Sequence, residues 1–223
     1  LVDGNTEYLD IDGDGELDFL SIGRAEENSD EVFVLSNLMN LNLPKLKNVD
    51  FDFADYNNDG LSDLIITGED LNSGNAVSKL YLTFKELYGT NYQLVESDLS
   101  IDGLRESSAK WIDYDKDGDL DLFIGSKLKP WNYPEPTSSY ILKNNKGVFE
   151  IDIVNSKNFK DWGMVSDAVW TDIDNDNDKD LVVVGEWSSI RVYENVAGIL
   201  YPKPSPNLDQ LKGWWFTIKE ADI

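Results

Sequence analysis

The chain has 223 residues, of which 43 are Asp or Glu and 19 are Lys or Arg, giving a formal net charge of −24. So acidic a surface repels phosphate backbones and anionic headgroups, which argues against nucleic-acid partners, and no apolar run reaches the roughly 20 residues needed for membrane insertion. With no Cys and no His there is no disulfide framework, no soft metal site and no imidazole base, while 41% hydrophobic and 12% aromatic residues suffice for a large core.

The first extended segment, Asn5–Asp10, runs into an acidic loop, DIDGDGELD at Asp10–Asp18, and then into the apolar run FLSIG, with a further strand expected at Glu31–Ser36. The order returns with DYNNDGLSD at Asp55–Asp63, then LIITG, and strands at Lys79–Phe84 and Tyr92–Glu96. It returns again with DYDKDGDLD at Asp113–Asp121, then LFIG, and strands at Ser139–Lys143 and Val148–Ile153. The last copy is DIDNDNDKD at Asp172–Asp180, then LVVVG, and a strand at Ser189–Glu194. Short runs of β-branched and large apolar residues that end in Gly read as strands. Segments rich in turn formers, Glu69–Asn75, Asn144–Gly147 and Tyr201–Asn207, separate them. Ala76–Leu87 is the stretch most ambiguous between strand and helix. An aromatic stands two residues before each loop, at Tyr8, Phe53, Trp111 and Trp170, on the strand face of the loop's first Asp, where core packing is expected.

Oxygen ligands at alternate positions of a tight loop are what a hard divalent cation requires. Counting from the first Asp, positions 1, 3 and 5 are Asp10, Asp12 and Asp14; Asp55, Asn57 and Asp59; Asp113, Asp115 and Asp117; and Asp172, Asp174 and Asp176. Position 6 is Gly15, Gly60, Gly118 and Asn177, where the chain must reverse through a positive φ that Gly takes freely and Asn tolerates. Position 7, occupied by Glu16, Leu61, Asp119 and Asp178, is expected to ligate through its backbone carbonyl, since a Leu side chain cannot. Position 9 is Asp in every copy, Asp18, Asp63, Asp121 and Asp180, and is expected to close the shell. A six- to eight-fold oxygen shell completed by water and a bidentate Asp suits calcium better than magnesium, which demands a compact octahedron. Loop 2, with Asn57, carries one charge fewer than loops 1 and 3 and is expected to bind more weakly.

A helix–loop–helix calcium hand begins in the same way but needs a bidentate acid at position 12, and here that position holds Ser21, Ile66, Ile124 and Val183. The loops therefore lead into strands. Repeats whose first Asp falls at 10, 55, 113 and 172, each with up to four short strands, predict an all-β fold: a β-propeller with four-stranded blades over about 1–47, 48–105, 106–164 and 165–212. Ala221-Asp222-Ile223 repeats the opening of the fourth loop, so 213–223 is expected to begin a fifth blade and the chain to be one partial propeller, a fragment of a larger one.

These loops, the aromatic before them and the apolar-Gly strand after them resemble FG-GAP/VCBS repeats, the calcium-loop blades of integrin alpha-chain heads and of many secreted bacterial proteins. The segments VSDAVWTDIDNDNDKDLVVVGEW and GWWFTIKEADI further resemble bacterial VCBS proteins of the ASPIC/UnbV-associated group. Asn177 in place of Gly, and Gly125 arriving one position earlier than Gly23, Gly68 and Gly185, depart from the pattern. The second departure predicts a bulge or a shorter strand in the third blade.

The resemblance implies a binding module displaying blade loops to a protein or glycan, with about four structural calcium ions. Calcium at about 10⁻⁴–10⁻³ M affinity is useful outside cells, which favours a secreted, periplasmic or cell-surface location in a bacterium. Trp131 and Tyr133, set among prolines in KLKPWNYPEPTS, are candidate partner-binding aromatics. The alternative is the propeller part of a carbohydrate-active enzyme such as a polysaccharide lyase; no spacing singles out a base, and three Arg are few for neutralising a uronate, so no catalytic residue is assigned.

Overall fold

A computed structural model of the chain describes residues 2–11, 15–24, 32–36, 46–70, 76–86, 89–95, 105–128 and 135–221. Asp12, Asp14, Trp131, Tyr133 and Asp222 lie outside the described residues. The fold is all-β, and the chain divides into two compact units, Leu1–Asp102 and Gly103–Ile223.

In the first unit, β1 (Val2–Leu9), β2 (Asp18–Arg24) and β3 (Val32–Ser36) form one antiparallel sheet in chain order. A second sheet follows from β4 (Leu46–Ala54), β5 (Asp63–Asp70), β6 (Ala76–Glu86) and β7 (Gly89–Val95). The ambiguous segment is thus strand β6, held on both sides by β5 and β7, a case of tertiary pairing overriding weak local preference. Leu20 of the first sheet packs into the buried face of the second, among Phe51, Leu64, Ile66 and Tyr81.

The second unit repeats the plan. Its sheets are β8 (Arg105–Ile112), β9 (Asp121–Leu128), β10 (Tyr140–Asn145) and β11 (Val148–Ile151), then β12 (Met164–Thr171), β13 (Asp180–Ser189), β14 (Arg191–Val196) and β15 (Ile199–Lys203). Phe123 and Ile141 of one sheet meet Val165, Leu181, Val183 and Tyr193 of the other, with Phe159 wedged between, 5.3 Å from the Phe123 ring and 4.7 Å from the Tyr193 ring. Gly125 makes this approach possible, because a Cβ there would collide with the Val165 side chain.

Two hairpins in this unit close through two-residue turns with positive φ at both positions, Lys146-Gly147 and Ala197-Gly198, the geometry that matches strand twist. Part of the expected turn Tyr201–Asn207 is accordingly strand β15, whose Leu200 is buried. Strand β11 stops at Ile151 because Asp152 caps a one-turn helix, α1 (Ile153–Ser156), accepting the Val154 and Asn155 N–H groups on Oδ1.

The pairing of first and second strands slips by one residue between Val2 and Asn5, between Lys47 and Asp50, and between Val165 and Asp167, so three sheets share a bulge at the same distance before their loops. Strands β8 and β9 pair without a slip. The early Gly125 therefore marks a missing bulge, and the expectation of an extra bulge or a shorter strand in the third repeat is corrected: the third sheet is the regular one.

The final segment differs from a free first strand. Lys212–Trp214 forms β16, which follows a second one-turn helix (Pro206–Asp209) and pairs with Glu186–Ser189, the part of β13 that extends past β14. Residues 215–221 carry no strand and run beside β12, where Asp167 Oδ2 accepts from Thr217 Oγ1 (2.9 Å) and Ile218 N (3.1 Å) and Thr171 Oγ1 donates to Glu220 (2.9 Å).

Candidate metal centre

Each loop is folded by its own carboxylates. The Oδ2 atom of the first Asp accepts the position 6 N–H in all four, at 3.0 Å for Asp10, 2.9 Å for Asp55, 3.1 Å for Asp113 and 3.0 Å for Asp172. In loops 2, 3 and 4 its Oδ1 also takes the position 5 N–H (2.9, 3.1 and 3.2 Å). Position 5 then accepts from the position 7 N–H, in Asp59, Asp117 and Asp176 (2.9, 3.0 and 2.8 Å). These side-chain turns force positive φ at position 6, in Gly15, Gly60, Gly118 and Asn177, and also at position 4, in Asn58, Lys116 and Asn175. The Asn residues at position 4 of loops 2 and 4, Asn58 and Asn175, suit that second requirement.

The outcome is two triads, Asp113, Asp115, Asp117 and Asp172, Asp174, Asp176, each offering three carboxylate oxygens within 4.8 Å of one another that could hold a metal ion. In loop 2 the amide Asn57 Nδ2 instead donates to Asp59 Oδ2 (3.1 Å). Of loop 1, Asp10, Glu16 and Asp18 are described, with Glu16 exposed.

The ninth Asp has a task that spacing alone does not show. Asp63, Asp121 and Asp180 are fully buried, and each uses Oδ1 to accept a backbone N–H from the third strand of its sheet: Thr83, Asn144 and Asn195, all at 2.8 Å. Those partners grip the loop exit in return. Thr83 Oγ1 donates to Ser62 O (2.6 Å), Asn144 Nδ2 to Leu120 O (3.0 Å), and Asn195 Nδ2 to Lys179 O (3.1 Å). The Asn residues also accept from Gly147 and Gly198, fixing the hairpin turns. An Asn three residues before a Gly, in NNKG and NVAG, was the available signal.

The other oxygen separates the loops. Asp18 Oδ2 accepts the Ile11 N–H (3.1 Å) and Asp180 Oδ2 the Ile173 N–H (3.0 Å), whereas Asp63 Oδ2 and Asp121 Oδ2 are buried and make no well-formed hydrogen bond, the equivalent Tyr56 and Tyr114 N–H groups approaching these carboxylates only in weak geometry. Burial pushes both of these acids up to about 7; Asp55 and Asp59, or Asp115 and Asp117, add repulsion, and the N–H groups of Thr83 and Tyr56, or of Asn144 and Tyr114, oppose the rise.

At position 7 the expected role was for the backbone alone. In loops 3 and 4 the side chain also works, since Asp119 Oδ2 accepts from Lys146 N (3.0 Å) and Asp178 Oδ2 from Ala197 N (3.1 Å), tying loop to hairpin. Leu61 is half-buried.

Three lysines face these carboxylates. Lys143 on β10 is bonded to Asp115 and lies 3.1 Å from Asp117, and these acids hold its ammonium above the usual range. Burial opposes the Asp117 charge, but the Asp119 N–H and Lys143 outweigh it and lower that carboxyl. Lys203 on β15 sits 3.0 Å from both Asp174 and Glu194, and Lys116 of loop 3 pairs with Asp178 of loop 4.

The aromatics before the loops do not all reach the core. Trp170 is buried and stacks on Tyr114, Phe53 is half-buried against Phe51, and Trp111 is half-buried, but Tyr8 is 68% exposed. Position 2 takes the inward place instead: Ile11, Tyr56 and Tyr114 are buried, and Ile173 is not. The position 2 carbonyl also bridges neighbouring repeats, with Ile11 O accepting from Ser62 N (3.2 Å) and Tyr114 O from Asn195 Nδ2 (2.8 Å).

No protein-family model and no curated protein matches the chain. Among the described residues, no helix is long and apolar enough to cross a membrane.

Proposed function

We propose that the chain is a calcium-stabilised β-propeller segment of the FG-GAP/VCBS kind, its four sheets serving as blades, and that it acts as a binding module for a protein or glycan partner. The observation that carries the metal is the pair of buried oxygens on Asp63 and Asp121 that lack a well-formed hydrogen bond. An unmet buried acceptor costs about 1–3 kcal/mol, and more when charged, so such a group is retained where something outside the chain meets it. Its surroundings include other carboxylates, so above neutral pH, where protons no longer relieve the repulsion, a cation lowers the energy of that set. Hard oxygen donors without Cys or His favour calcium over a transition metal.

The blade reading is supported by four antiparallel sheets taken in chain order, by face-to-face packing of sheets within each unit, and by the carbonyl of one loop hydrogen-bonded to the next repeat. The role of calcium is structural: it removes repulsion within each loop, and binding only the folded state adds about 2.7 kcal/mol per site at 100 times the dissociation constant. Such sites fill where calcium is plentiful, hence a secreted, periplasmic or surface location in a bacterium. Calorimetric calcium titration of the metal-free protein, with a parallel thermal melt, tests the reading. Heat from several sites and a rising melt are expected; no heat and an unchanged melt would return the loops to ordinary turns.

A further inference from the structure

Loop 4 lies where Thr171 and Asp180 pair, at one end of β12 and β13. At the other end of β13, Trp187 has φ +58, the only positive φ inside a strand among the described residues. An L-residue with a bulky side chain pays a steric penalty there that Gly would not. The register against β16 slips between Glu186 and Ser188, so Trp187 is the extra residue of a bulge, a device that re-aims a side chain and recurs beside functional sites. It is aimed outward: Trp187 is 60% exposed, and Trp214 supports it edge-on at 4.9 Å and 75°.

Beside it opens a cavity of about 390 Å³ with apolar walls from Pro136, Trp162, Met164 and Trp187. Two polar side chains join them. Glu186 is held 3.2 Å from Lys127, and the Ser188 hydroxyl is buried with no hydrogen-bond partner. The volume is at the small end of the ~300–1,000 Å³ common for small-molecule sites, which suits one or two rings.

We propose that this cavity is a subsite for a neutral sugar, its apolar C–H face stacked on Trp187 and its hydroxyls bonded to the Glu186 carboxylate and, once the Ser188 side chain rotates out of its buried position, to Ser188 Oγ. A flat indole and a hydroxyl edge are the two surfaces that a pyranose itself presents. A purely apolar ligand would leave Ser188 unmet, a cation would compete with Lys127 for Glu186, and a uronate or phosphate would meet Glu186 and a chain of net charge −24. The proposal rests on the binding-module reading and gives its glycan partner a place; no calcium takes part in it.

Saturation-transfer NMR on the whole chain in calcium buffer tests it, with methyl β-glucoside, methyl α-mannoside, methyl β-galactoside and methyl N-acetyl-β-glucosaminide as probes and galacturonate as the acidic control. Transfer to the ring protons of at least one neutral glycoside and none to galacturonate is expected. Trp187→Gly should abolish transfer with a melting temperature equal to or above the parent's, since Gly adopts this φ freely. Ser188→Ala should weaken binding about five-fold with an unchanged melt. Silence from every neutral glycoside, transfer that survives Trp187→Gly, or a melt lowered by Trp187→Gly overturns the subsite, the last because Trp187 would then be a packing residue. Calcium stabilisation without sugar transfer sinks the subsite alone; sugar transfer without any calcium response supports it and sinks the metal reading alone.

Discussion

Loops 3 and 4 share a carboxylate triad, the same internal turns, the same clamp on the third strand and the same hairpin grip, yet they treat their ninth Asp differently. In loop 4, Asp180 satisfies both oxygens with backbone N–H groups of Asn195 and Ile173; in loop 3, Asp121 satisfies one with Asn144 and meets the Tyr114 N–H only in weak geometry. The residue at position 2 accompanies the difference. Ile173 is 42% exposed and turns its N–H to Asp180, whereas Tyr114 is buried against Trp170 and anchored by its hydroxyl to Asp152 (2.7 Å). One spacing thus yields one turn, and packing around the loop decides how fully the last carboxylate is satisfied by the backbone.

The sharpest way to break this comparison is to delete the two clamps. Asp180→Ala orphans two N–H groups and is expected to cost about 2–4 kcal/mol with or without calcium. Asp121→Ala orphans one and also removes a poorly solvated acid, so it should cost about 1 kcal/mol in metal-free protein and clearly more in calcium. Urea unfolding in both conditions measures this; equal losses for the two variants in both states would show that the spare oxygen has no ionic role.

Acidity separates the loops next. Asp63 and Asp121 carry folded pKa values of about 7 against an ordinary 3.8, so the folded state binds more protons than the unfolded between those values. Stability of the metal-free protein is therefore greatest below the ordinary value and is lost as pH rises toward and through about 7. Melts of metal-free protein from pH 5 to pH 8 should fall by several degrees, and saturating calcium should flatten the slope. Melts rising over that range without metal would remove the case for strained carboxylates.

Lysine placement predicts a smaller contrast. Lys143 pairs with two carboxylates of the loop 3 triad, Asp115 and Asp117, while Lys203 divides itself between Asp174 and Glu194. Both side chains are substantially exposed, and pairs of this kind contribute about 0.2–1 kcal/mol. Lys143→Met should tighten calcium binding by about two- to five-fold and Lys203→Met by less, read from the calorimetric constants.

What could be read from residues alone was whatever one residue decides locally. Alternating Asp, a Gly at position 6 and an apolar run closed by Gly each act within a few bonds, so loops and the strands that leave them were legible. The clamp was not, because Asp63 meets Thr83 only after β5 and β6 have paired, and nothing in the spacing ties the two. The exposed Tyr8 and buried Ile11 share this origin: strand alternation says which residues face together, and which face is covered depends on the neighbouring sheet. Lys143 was hidden for the same reason, coming from a third strand to Asp115, 28 residues before it. Trp187 breaks a local rule outright, since no propensity places an indole at positive φ inside a strand.

The smallest test exchanges the position 6 residues. Gly118 has φ +94 and Asn177 φ +72, and both donate their N–H to the first Asp of the loop at 3.1 and 3.0 Å. Asn tolerates this region at a modest cost and in return restricts the unfolded chain less loosely than Gly does, so the two effects oppose each other. Asn177→Gly and Gly118→Asn are each expected to move stability by less than about 0.5 kcal/mol and to leave calcium binding unchanged. Should Gly118→Asn cost far more than Asn177→Gly gains, the turn in loop 3 must be tighter than in loop 4. The unmatched ninth oxygen would then reflect a strained loop as much as a waiting site.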